Sequence, residues 1–163
     1  MDAIAAASGM AKGAVYHHFA TKEALFEAVF DQVSGELADE AGNASRRETD
    51  VLAAMVAGIR HYFTACSSGP RARIVLRDAP AVLGWERWRE IDDKHFGGVI
   101  PRALQAAMDQ GLVAQQPVEP VARLLLGAVT EAAMACAGRT DLAAAAGEYA
   151  AALGTLIGSL RAR

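Results

Sequence analysis

The sequence predicts an all-α fold. Apolar residues recur at three- and four-residue spacing almost everywhere, and alanine, the best helix former, fills the positions that packing leaves undecided. No segment sustains the period-two alternation of a half-buried strand, and the β-branched residues are scattered among alanines.

Gly, Pro and capping residues mark the boundaries. A helix over Asp2 to Ser8 ends at Gly9, and a second over Lys12 to His18 ends before Ala20 and Thr21. Thr21 is positioned to cap a longer helix with Glu23 in its first turn, where the dipole favours an acid. That helix is expected to bury Leu25, Phe26, Val29, Phe30, Val33 and Leu37 and to run out near Gly42 and Asn43. Another follows Thr49 or Asp50 and reaches Cys66, with Ser67, Ser68, Gly69 and Pro70 as the break. A short helix covers Arg71 to Arg77, and Pro80 and Gly84 punctuate the next stretch. A long helix is expected from Trp85 to Gln110, kinked near Pro101, because proline lacks the donor for the carbonyl four residues back. Pro117 and Pro120 introduce the next helix, Gly138 closes it, and the last helix starts at Thr140 or Asp141.

Composition narrows the function. The 163 residues are 53% hydrophobic and 21% charged, enough apolar surface to fold as one domain or a small module. Sixteen Lys and Arg against nineteen Asp and Glu exclude a basic chain, so any nucleic-acid surface must be local. Cys66 and Cys136 match no metal-binding or disulfide spacing and read as small buried residues of a cytosolic protein. No signal peptide is visible, and the longest apolar stretch, Val121 to Ala137, is interrupted by Arg123 and Glu131. The expected location is the cytoplasm, without membrane contact.

The most specific signal lies in the first twenty-two residues. Ile4, small Ala5, Gly9, Met10 and Val15 have the spacing of a helix-turn-helix, with Gly9 at the left-handed turn. In the second helix Val15 and Phe19, four apart, face inward while Lys12, Tyr16 and His17 face outward. Lys12 and Lys22 against Asp2 leave this segment one net positive charge before its histidines, whereas residues 23 to 40 hold six acids and no Lys or Arg. The acidic helix should point away from phosphates.

The stretch IAAASGMAKGAVYHHFATKEALFEAV resembles the DNA-binding segment of the tetracycline-repressor (TetR) family of bacterial transcription regulators. Ile4-Ala5, Gly9, Lys12-Gly13, Tyr16-His17-His18-Phe19 and Thr21-Lys22-Glu23-Ala24-Leu25-Phe26 carry the match. Leu76 to Asp92 also resembles a stretch of some members. The resemblance implies a helix-turn-helix DNA-binding segment, with its connecting helix over residues 1–43, and a helical ligand-binding and dimerisation domain over 44–163. Lys12, Gly13 and Ala14 would open the recognition helix against bases and phosphates, Tyr16, His17 and His18 would follow, and Lys22 would hold a phosphate from a helix N-terminus. Ala11 stands where a Ser or Thr cap is common, giving up about 1 kcal/mol, and Ala14 where a hydroxyl is frequent. Members begin with a helix ahead of the one that starts at Asp2, so the native product is expected to be longer than this chain.

The remaining helices suggest an effector pocket. Met55, Ile59, Tyr62 and Phe63 on one, and Trp88, Ile91, His95, Phe96 and Val99 on another, offer large apolar groups around one histidine. The candidate ligand contacts are Met55, Ile59, Phe63, Trp88, His95 and Phe96, although ordinary core packing explains any one of them singly. Leu142, Ala146, Tyr149, Leu153, Leu156 and Leu160 form a heptad seam, matched by Val121, Leu125, Ala128, Ala132 and Ala135. A homodimer through the last two helices is expected. The expected partners are double-stranded operator DNA, a small apolar effector and a second copy, with no cofactor. A DNA-binding-deficient helical adaptor or ligand-binding dimer is the alternative. Asp92 and His95 share a face, but no second His or Glu pair accompanies them, so a solvated acidic face is expected rather than a metal site. GxSxG, Walker and GxGxxG motifs are absent, and no enzyme is expected.

Overall fold

The computed structural model describes residues 1–9, 11–66, 69–137 and 139–162, with Lys12, Ala137 and Leu142 described in their backbone alone. Met10, Ser67, Ser68 and Gly138, to which the sequence assigns roles in turns and helix ends, lie outside the described residues. The helices are α1 (Asp2–Ser8), α2 (Lys12–His18), α3 (Lys22–Ser45), α4 (Val51–Ala65), α5 (Gly69–Ala72), α6 (Ala79–Phe96), α7 (Val99–Asp109), α8 (Val118–Ala137) and α9 (Leu142–Gly158), with a π-helical stretch Arg73–Asp78 between α5 and α6. Among the described residues there is no strand; an isolated bridge pairs Val113 with Arg161.

Side-chain caps start three of these helices. Thr21 Oγ1 accepts from the Ala24 amide at 3.0 Å, Asp50 Oδ1 from Ala53 at 2.8 Å and Asp141 Oδ1 from Ala144 at 3.0 Å. Asp50 also receives Arg161 Nη2 at 2.8 Å on both carboxylate oxygens, which ties the end of the chain to the start of α4.

Helix α4 lies in the core, packed on α3, α7 and α9. It buries Leu52, Met55, Ile59, Tyr62 and Phe63. Its approach to α3 depends on Gly58, where a Cβ would stand 2.6 Å from Ser45 Oγ and 3.4 Å from the Ala41 carbonyl oxygen. Ser45 Oγ in turn donates to the Ala54 carbonyl of α4 at 2.9 Å. This contact carries α3 through Gly42 and Asn43, where the sequence expected it to end. The buried stripe of α3 is Phe30, Ser34 and Leu37, while Val29, expected inside, is 38% exposed.

The expected single helix over Trp85 to Gln110 is two helices. Gly97 and Gly98 separate α6 from α7, and Pro101 sits in the first turn of α7, where a missing donor costs nothing. Gly84, at φ 77° and ψ 160°, breaks α6 before Trp85 as its punctuation suggested. The Arg71 to Arg77 segment is split: α5 supplies one turn and the π-helical stretch the rest. In that stretch the Val75 carbonyl accepts from Trp88 Nε1 at 3.1 Å, so the buried indole of α6 is satisfied there.

In α9 the buried residues are Ala145, Ala146, Ala150, Leu153 and Ile157, so that of the heptad seam Ala146 and Leu153 face inward. Leu156 of that seam is 55% exposed, and Leu124 on α8 is 75% exposed. Cys66 and Cys136 are buried free thiols. No helix among the described residues is long and apolar enough to cross a membrane.

Gly58→Val is expected to lower unfolding free energy by about 1–3 kcal/mol in urea titrations, since the added atoms meet α3. Gly147→Ala on α9, where a Cβ meets nothing within 4 Å, should instead gain roughly 0.5–1 kcal/mol. Equal effects at the two glycines would contradict this packing.

Candidate DNA-reading face and cavity

Helices α1 and α2 cross with Ala5 and Val15 buried between them at 4% and 5% exposure. Gly9 makes the turn: at φ 67° its amide reaches the Ala5 and Ala6 carbonyls, a conformation a side chain would strain. Helix α2 begins at Ala11 without a side-chain cap, the departure read from the sequence.

Of the residues proposed to meet DNA, Gly13, Tyr16, His17 and His18 are exposed, Ala14 is half-buried, and Lys22 is exposed in the first turn of α3. The side chain of Lys12 lies outside what is described. The His17 and His18 rings meet edge to face, 5.5 Å between centroids, in the last turn of α2, where a helix favours positive charge. Tyr16, the two histidines and Lys22 are therefore exposed within one short stretch of chain, from α2 into the first turn of α3.

The acids that follow on α3 do more than face water. Glu27 accepts from Arg87, Asp31 from Lys94 at 2.6 Å and from His95 Nε2 at 2.8 Å, and Glu36 and Glu40 from Arg71 at 3.2 and 2.8 Å. Glu40 also meets His61 Nε2 at 3.3 Å. The Lys94 ammonium and then His95 hold the Asp31 carboxyl below the usual carboxylate range, as Arg71 and His61 do for Glu40.

A cavity of about 190 Å³ opens between α3, α4, α6, α7 and α8. Met55, Ile59 and Phe96 of the proposed ligand contacts line it, together with Tyr62, Val99, Ile100, Leu126 and Val129. Phe63, Trp88 and His95 are not in its wall. Phe63 and Trp88 are buried in the core, Trp88 on the Val75 carbonyl, and the His95 ring faces Asp31 and Gly35 of α3. Small residues of α3, Ala38, Ala41 and Gly42, make the space, a contribution that no large apolar side chain announced.

Asp92 also lines the cavity, and it corrects the expectation of a solvated acidic face. It is 8% exposed, and burial, then the neighbouring Asp93, push its carboxyl from 3.8 up to about 6. Among the described residues no group of three or more His, Cys, Asp or Glu could hold a metal ion. Burial likewise pushes the Cys66 thiol up to about 12, which leaves it an unreactive thiol against Tyr62.

A helix-turn-helix joined by one long helix to a helical body with an apolar cavity defines a class of DNA-binding regulator. The sequence matches the model of bacterial regulatory proteins of the tetR family over residues 1–29 and that of a tetracyclin repressor-like C-terminal domain over residues 52–160. The chain belongs to the TetR family, whose members are DNA-binding transcriptional regulators rather than enzymes. A TetR-family transcriptional regulator from Pectobacterium atrosepticum is 29% identical, with a TM-score of 0.85 over 100% of this chain and 83% of that one. Two more distant structures share the fold. The fatty acid degradation regulator FadR from Bacillus halodurans has 20% identity and a TM-score of 0.73, over 93% of this chain and 84% of that one. A tetR family transcription regulator from a Shewanella species has 19% identity and a TM-score of 0.70, over 98% and 86%. No curated protein matches the sequence.

Because the Asp92 carboxyl titrates near 6 in the folded chain and near 3.8 when unfolded, ionisation opposes folding. Its burial is tolerated below about pH 4, and stability falls as pH rises through about 6. Asp92→Asn should raise unfolding free energy by up to about 3 kcal/mol at pH 7.5 and change nothing near pH 3.5. A pH-independent effect in paired denaturation curves would count against an ionised buried carboxylate.

Proposed function

We propose that this chain is a transcriptional repressor that binds operator DNA as a homodimer and is released by a small, largely apolar ligand in the α3–α8 cavity. The carrying observation is that α2 packs Val15 inward while Tyr16 and His17, and Lys22 a few residues on, stand exposed. In this reading Tyr16 and Lys22 contact phosphates, and the start of α2, with Lys12, Gly13 and Ala14, approaches bases; His17 and His18 lie toward the backbone.

Coupling between cavity and DNA follows from α6. Phe96 and Asp92 face the cavity, and on the same helix Arg87, Lys94 and His95 grip Glu27 and Asp31 of α3. A ligand that displaces Phe96 shifts α6 and, through these pairs, the helix that leads to the reading face. Two copies present their recognition helices at half-site spacing of about 34–36 Å, and the ligand acts by favouring an arrangement that no longer fits.

The dimer is assigned to α8 and α9. Among the described residues, Leu124 and Leu156 are the large apolar side chains these helices leave exposed, and half-buried Tyr149 and Leu160 continue the seam.

In titrations of the DNA flanking the gene, Tyr16→Ala and Lys22→Ala are each expected to weaken binding, with Lys22→Ala flattening the salt slope by about one. Asp31→Ala should retain DNA affinity yet blunt release by a bound ligand. Affinity that ignores Tyr16 and Lys22 favours the helical adaptor. Sedimentation should find a dimer that Leu124→Glu with Leu156→Glu converts to a folded monomer; an unchanged dimer would place the interface elsewhere.

A further inference from the structure

We propose that the cavity selects a compact apolar ligand bearing one cationic amine, which sits against the Asp92 carboxylate. The inference rests on the reading of this cavity as the effector site and names the chemistry that site prefers.

Four polar side chains line the wall, Ser45, Tyr62, Asp92 and Thr130, and the first two have neighbours of their own. Ser45 donates to the Ala54 carbonyl, and the Tyr62 hydroxyl meets the Cys66 thiol. Asp92 is buried, lines the cavity, and accepts no hydrogen bond from the described residues. A buried carboxylate left in this state is costly unless something supplies donors, and the space beside it is where a ligand would do so.

The sign of the surrounding field selects a cation. Asp93 stands next to Asp92, and its Oδ1 is buried without a hydrogen-bond partner. Both lie in the last turns of α6, toward the negative end of its dipole. The basic groups nearby make their direct contacts elsewhere: Arg89 lies over the Trp85 ring, His95 is held by Asp31, and Arg123 reaches Glu119 and the other oxygen of Asp93; Arg89 and His95 act on the Asp92 charge only through space. An anionic ligand would meet repulsion at Asp92, and a neutral donor would leave the buried charge uncompensated. Size sets the remaining limit: a cavity of about 190 Å³ is slightly larger than the roughly 150 Å³ that accepts benzene. An aryl or short alkyl body with one ammonium group fits both requirements.

Calorimetric titration of the full chain at pH 7.5 with 2-phenylethylamine, 2-phenylethanol and phenylacetate tests this directly. The amine should bind about tenfold or more tighter than the alcohol, and phenylacetate weakest. Asp92→Asn and Asp92→Ser, two variants in case one perturbs folding, should bring amine and alcohol to equal affinity while leaving alcohol binding intact. Ala103→Trp, which fills the cavity, should abolish all three. Equal or tighter binding of the alcohol or the acid by the wild-type chain overturns the proposal but leaves the cavity as an effector site, and so does an amine preference that survives at Asp92→Asn. Binding of none of the three, or binding indifferent to Ala103→Trp, overturns both.

Discussion

Helix α3 is shared by every working part of the molecule. Its first turn carries Lys22 beside the recognition helix, its middle buries Phe30, Ser34 and Leu37, and its last turns supply Ala38, Ala41, Gly42 and Ser45 to the cavity wall. A continuous helix resists bending because its hydrogen-bond ladder is cooperative. The two ends therefore move together, and the contact with α4 at Gly58 fixes where that rod lies. The charge pairs to Arg71, Arg87, Lys94 and His95 stabilise little individually at a solvated surface, but they set its register against α5 and α6.

The cavity exists because the residues around it are unequal in size. Alanines and glycine on α3 face Met55, Ile59 and Phe96, so the helices meet at their large side chains and leave space beside the small ones. Holding Asp92 in that space opposes folding near neutral pH, whereas an apolar residue there would pack better.

Helix existence was legible from the sequence because period and punctuation are local properties. Gly9, Thr21, Gly84 and the Asp residues at 50 and 141 act within one turn of themselves, and the structure uses each as read. The inward and outward sides of α2 were legible for a similar reason: Val15 and Tyr16, about 100° apart round the helix, part between core and solvent. Errors came where a partner helix decides. Val29 and Leu25 belong to the same apolar stripe by spacing, yet α6 and α4 cover only part of that stripe. Trp88 and His95 looked like pocket residues because they are large or polar near Phe96, and rotation of α6 turns them to Val75 and Asp31 instead.

By itself, then, the sequence determined an all-helical chain with a helix-turn-helix, its capped connecting helix and two apolar seams near the end, since these follow from residue spacing along a 3.6-residue period. Tertiary structure decided which side of each helix is inside, that α3 reaches Ser45, that α6 and α7 are separate, and that Asp92 is buried in a cavity while the acids of α3 are paired. Those outcomes depend on burial and charge contributed by segments sixty or more residues away in the cases of Asp31 and Glu27, and no local pattern encodes where such partners come to rest.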